Sequence, residues 1–134
     1  MITYKFYDTC SLLLKGQHLF DDDNTQVVIS SITLQELEDI KSSGRKDENV
    51  KFTARTILNI LSNNPEAYEI HIFKPEMLDK FEQFEATNDI KILACAFDYD
   101  CNKHPDETVF VTNDLALKAI ANLYFGEDSI DSVI

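Results

Sequence analysis

The spacing of apolar positions switches repeatedly between period two and helical period along this chain, and the switches mark its elements. "ITYKFYD" is dense in β-branched and aromatic residues and predicts a strand ending at Asp8. "TCSLLL" then opens a short helix, with Thr9 able to cap it. "DDDNTQ" predicts a loop and "VVIS" a short buried strand. In "SSITLQELEDIKSSG" the residues Ile32, Leu34, Leu37 and Ile40 approach helical spacing, and Gly44 supplies a stop. The polar "RKDEN" leads to a second helix with Val50, Ala54, Ile57, Leu58 and Leu61 on its apolar face, ended by "NNP".

"YEIHIF" alternates as a third strand should, and Pro75 to about Phe84 reads as a weaker helix. A stronger helix begins near Asp89, capped by Thr87 or Asn88, with Ile92, Leu93, Ala96 and Tyr99 on its buried face. "TVFVT" predicts a fourth strand, "NDLALKAIANLYF" a helix directly after it, and "SIDSVI" at most a short fifth strand. Strands separated by helices require crossovers, so the expected fold is α/β, a parallel sheet with helices on both faces. Ligands in such sheets bind beyond the carboxyl ends of the strands, where strand order reverses.

At 134 residues, with 44% hydrophobic content and three prolines, the chain is expected to be one folded domain spanning 1–134. No apolar run approaches the ~20 residues of a membrane span, and no signal-peptide layout opens the chain. Cys10, Cys95 and Cys101 are sparse, odd in number and lack a CxxC pair. They predict no disulfide framework and a reduced, cytoplasmic setting.

Four acids stand at turns from strand to helix or at helix starts: Asp8, Glu36, Asp89 and Asp114. Asp8 closes the first strand and Asp114 lies just beyond the fourth, so the two meet if those strands are neighbours. A pocket of carboxylates suits a hard divalent cation, and two ions ~3.5–4 Å apart would serve both sides of a phosphodiester. The plain alternatives are helix caps at Asp89 and Asp114 and a solvated face at Glu36. His18, His71 and His104 are scattered, Cys10 reads as a small packing residue and Cys95 as core.

The net charge of −12 opposes nucleic-acid binding, but five of the 12 basic residues (Lys41, Arg45, Lys46, Lys51, Arg55) fall between positions 41 and 55. That stretch is either a phosphate guide or a solvated loop and helix face.

In order along the chain, four segments resemble the motifs of PIN-domain nucleases. "YDTCSLL" is similar to the family's opening turn, and "ITLQELEDIKSS" with "ARTILNIL" resembles its second motif, especially in PIN domains attached to PhoH-like ATPases. "NDIKILACA" looks like the third motif and "VFVTNDLALKAIA" the fourth. The resemblance implies a three-layer α/β/α sandwich around a parallel four- or five-stranded sheet. It also implies RNA cleavage with one or two Mg²⁺ or Mn²⁺ ions held by Asp8, Glu36, Asp89 and Asp114. Thr9, Ser11, Thr112 and Asn113 would support the site or touch substrate, and Lys41, Arg45, Lys46 and Arg55 would meet the RNA. A homodimer, an antitoxin and a fused or associated ATPase stay open as partners. The competing expectation is a PIN-like module that binds RNA or protein with little or no cleavage.

Overall fold

Alternation along each strand decides which side of the sheet its large residues join. In the computed structural model, which describes residues 1–134, β1 (Thr3–Tyr7) sends Phe6 to one face and Tyr7 to the other. Its neighbours agree with it residue by residue. Phe6 stands level with Val28 of β2 (Thr25–Ser30) and with Phe110 of β4 (Thr108–Val111). Tyr7 stands level with Ile29 and Val111.

With β3 (Tyr68–His71) and β5 (Ile130–Asp131) at the edges, the strands run parallel in the order β3-β2-β1-β4-β5. The expected sheet therefore forms with five strands. The chain first builds outward from β1 to β3, then returns to add β4 on the other side of β1. Strand order reverses between β1 and β4, and that is the switch point.

Two hydrophobic cores result, one on each face. On the first, Phe6, Val28 and Phe110 pack against α4 (Asn88–Asn102), through Ile92, Leu93, Ala96 and Tyr99, and α5 (Leu115–Ala121), through Leu117 and Ala121. On the second, Tyr7, Val27, Ile29 and Val111 pack against α1 (Thr9–Lys15), α2 (Ser31–Ser42) and α3 (Glu48–Asn63), through Leu12, Leu37, Ala54, Ile57 and Leu61. No helix is long and apolar enough to cross a membrane.

Several local expectations shift. Asp8, not Thr9, caps α1: its extended backbone lets Oδ1 accept from the Ser11 amide at 2.8 Å. Thr25 and Gln26 belong to β2 rather than the loop before it. α2 stops at Ser42, before Gly44, where Ser43 turns extended. α3 begins at Glu48, capped by Asp47, and Val50 lies outside its buried face. The weak helix after Pro75 is a 3₁₀ segment ending at Phe81. Gly16 closes α1 at φ +54°, a conformation that a side chain would strain.

The central position of β1 makes Phe6, fully buried, the residue most shared by strand pairing and core. Phe6→Ala is expected to cost about 3–5 kcal/mol of unfolding free energy in urea titrations. A loss under about 1 kcal/mol would show that the site-bearing strands do not depend on this core.

Candidate active site

The switch point places two carboxylates just beyond the ends of neighbouring strands. β1 ends at Tyr7 and Asp8 follows; the Asp8 amide donates to the carbonyl of Val111, the last residue of β4, at 3.1 Å. Asp8 is buried, and its Oδ1 caps α1. Three residues past Val111, Asp114 caps α5, its Oδ1 accepting from the Leu117 amide at 3.1 Å. The capping alternative for Asp114 is therefore realised, and Asp8 does the same work. Each cap uses one carboxylate oxygen and leaves Oδ2 outside the helix-capping bond.

The turn that carries Asp114 is itself fixed. The fully buried Thr112 accepts the Asp114 amide on Oγ1 at 3.1 Å and donates its own amide to the Asp131 carbonyl. Asn113 Oδ1 accepts from the Val133 amide at 2.7 Å. These two residues position backbone, and the buried Thr112 hydroxyl holds the turn before Asp114. Strand β5 and the residues after it thus anchor the site, a role that "SIDSVI" gave no signal for, since a backbone acceptor has no sequence signature.

Glu36 comes from the first half of α2, half-buried. Buried Thr9 lies 2.6 Å from Glu36 Oε1 and 3.1 Å from Thr33 Oγ1. A hydroxyl has one proton. With Thr9 donating to Glu36, the Thr33 hydroxyl supplies the proton for the other contact. Thr33 escaped sequence reading because it looks like any helical threonine; only the packing of α1 on α2 reveals it. Ser11 gives its amide to Asp8, and its buried Oγ has no partner.

Asp89 stands in the first turn of α4, exposed, with Thr87 rather than Asn88 as the cap. Partial burial, then the charges of Asp8, Glu36 and Asp114, hold its carboxyl above the ordinary Asp value. The same acids act on Cys10: partial desolvation of its thiol by the surrounding chain comes first, then Asp8, Asp89, Glu36 and Asp114 raise it. Cys10 is exposed and so is not the packing residue expected. Elements from both sides of the sheet therefore share one field at its carboxyl edge, α1 and α2 from one face and α4 and α5 from the other. No three acidic, His or Cys side chains are drawn into a ready-made metal-binding group. Beside Asp89 and Asp114 lies a shallow cleft of about 240 Å³, lined also by Phe84, Ile90, Leu117 and Ile120.

The basic stretch divides. Lys41 pairs with Glu38 and Lys51 with Glu48, while Arg45, Lys46 and Arg55 are exposed and make no ion pair. His71 hydrogen-bonds Asp98 at 2.8 Å on the edge strand β3, and Cys95 is core, its thiol pushed up by burial to about 12.

A raised Asp89 carboxyl binds its proton more tightly in the folded chain than in the unfolded one. Its contribution therefore lowers stability as pH rises from the ordinary value of 3.8 through the raised one, and vanishes below both. Asp8→Asn keeps a cap acceptor for the Ser11 amide and removes one of the charges. It is expected to move the Asp89 titration midpoint down, toward the ordinary Asp value, in carboxyl ¹³C NMR. An unmoved midpoint would show that the two acids do not share a field.

Three comparisons bear on this geometry. A family model described as "PIN domain" matches residues 6–124. A chain in the crystal structure of VapBC2 from Rickettsia felis, bound to a DNA fragment from their promoter, is similar at a TM-score of 0.57 and 19% identity, covering 98% of both chains. No curated protein matches the sequence.

Proposed function

The chain belongs to the PIN domain family, and from that premise we propose that it is a divalent-metal-dependent endoribonuclease. The observation that carries the reading is the switch point itself, where Asp8 and Asp114 follow the neighbouring strands β1 and β4 and each caps the helix after it, in a chain that matches the family over residues 6–124. Four carboxylates from separate elements repel one another, and a fold keeps such an arrangement when a cation is there to offset it.

The donor set fits Mg²⁺ or Mn²⁺, which prefer oxygen ligands. Asp8, Glu36, Asp89 and Asp114 would hold one or two such ions. When bound, ions of this kind activate the attacking water and stabilise the leaving oxygen of a phosphodiester. The protein's own part is positioning. The Ser11 amide fixes Asp8, Thr9 orients Glu36, and Thr112 with Asn113 sets the turn before Asp114. Arg45, Lys46 and Arg55, with Lys41 nearby, would meet phosphates of the incoming strand.

A second reading has one observation in its favour: the carboxylates are not gathered into a ready-made metal group. It is a PIN-like module that binds RNA or a protein with little or no cleavage. A toxin held by an antitoxin is a variant of the first reading that the VapBC2 likeness raises, and growth arrest on expression separates it. A homodimer, and association with a PhoH-like ATPase of the kind whose PIN domains the second motif resembles, are further partners on this reading.

Asp8→Asn and Asp114→Asn both keep an acceptor for their helix caps, so both variants are expected to fold. Each should reduce Mn²⁺-stimulated RNA cleavage about 100-fold or more, the scale seen when one catalytic electrostatic contact is removed. Cleavage undiminished in both variants would overturn the enzyme reading. RNA binding without cleavage of any substrate, with either metal, would favour the module.

A further inference from the structure

Both of the chain's arginines, Arg45 and Arg55, lie in the stretch where basic residues are densest, on a protein of net charge −12. In the middle of that stretch Phe52 is 64% exposed. A phenyl ring left in water is not explained by the core, since α3 buries Ala54, Ile57 and Leu61 on a different face. Phe52 and Arg55 are three residues apart on α3 and are neighbours on its outer surface. Arg45 and Lys46 stand in the connection just before the helix, and none of the three cations has an acidic partner.

The topology sets the height of this patch. α3 is followed after a short turn by β3, which runs parallel to every other strand, so α3 ends toward the amino edge of the sheet. Its 16 residues carry it back about 24 Å, at about 1.5 Å per residue. α3 packs chiefly on α2, the helix that carries Glu36, and shares a core with β2, whose six residues span about 20 Å. The first turns of α3, with Phe52, therefore reach the level of the carboxyl edge, where the four acids stand.

We propose that Phe52 is a stacking platform for one base of a single-stranded nucleic acid, whose phosphates are held by Arg45, Lys46 and Arg55. Planar guanidinium groups match phosphate oxygens in pairs, and an aromatic face takes any base. The combination separates this occupant from a simple polyanion, for which cations alone suffice. It also answers the charge problem of the acidic chain: the strand is gripped on the one basic island and only its scissile region meets the carboxylates. The inference rests on the nuclease reading for its purpose, but its test does not need cleavage.

The chain has no tryptophan, so Phe52→Trp supplies a single emitting indole at the platform. Titrated in EDTA with single-stranded oligouridylate, this variant is expected to bind as wild type does and to lose fluorescence in step with binding. Phe52→Ala should weaken binding about 5- to 100-fold, the range for loss of one stacked base. It should leave the salt dependence unchanged. Arg55→Ala should instead flatten the log–log salt slope by about 0.7. Unquenched fluorescence with bound RNA, or Phe52→Ala binding as wild type, would overturn the platform even if the enzyme cuts RNA. Quenching by polyglutamate as strong as by oligouridylate would overturn it in favour of an acidic protein partner. Quenching by RNA in a protein that never cleaves would uphold the platform and sink the nuclease.

Discussion

Everything at the site depends on the pairing of β1 with β4 across the point where the sheet changes direction. That pairing is a run of parallel backbone hydrogen bonds that continues one step past the strand, where the Asp8 amide reaches the Val111 carbonyl. It brings together two segments of chain about a hundred residues apart, each turning at once into a helix. The turn needs an acceptor for the free amides of the new helix, and a carboxylate is a good one. The same requirement that starts the helix therefore leaves a second carboxylate oxygen at the mouth of the sheet. On the proposed function, structural and chemical demands coincide on Asp8 and Asp114.

That coincidence changes what a cap can be taken to mean. Capping and ligation look like rival explanations of an acid at a helix start, yet a carboxylate has two oxygens. A capped Asp is held more rigidly than a free one, and a rigid ligand loses less entropy when it binds. Glu36 reaches similar fixity by another route, through the buried hydroxyl of Thr9. Asp89 has no such support, and it is the acid on which the combined field of the others is registered.

Much of this was legible in the amino-acid sequence, because period-two strands and helical faces with sharp stops carry strong signals. "ITYKFYD", "TVFVT" and the helix beginning at Asp89 read almost as they fold. Asp8 and Asp114 follow strands and Asp89 opens a helix as the pattern of acids predicts, whereas Glu36 lies midway along α2. Sequence failed where the deciding partner was distant or was backbone. Thr9 has the chemistry of a cap but spends it on Glu36, Val50 fits the apolar face by spacing yet lies outside it, and Cys10 is small but exposed. The tie from Thr112 to Asp131 joins an amide to a carbonyl and has no side-chain trace at all. Phe52 falls outside the apolar face that spacing gives α3, and it is exposed accordingly.

The two cores on opposite faces of the sheet have one more consequence. Asp8 and Glu36 are carried by helices seated in one core, and Asp89 and Asp114 by helices seated in the other. The two blocks of helices meet through the sheet and again directly, where α2 packs on α4 and Ile32 of α2 reaches the core of the other face. Calibration between the acids is then a property of the whole three-layer stack, and residues far below the carboxyl edge tune it.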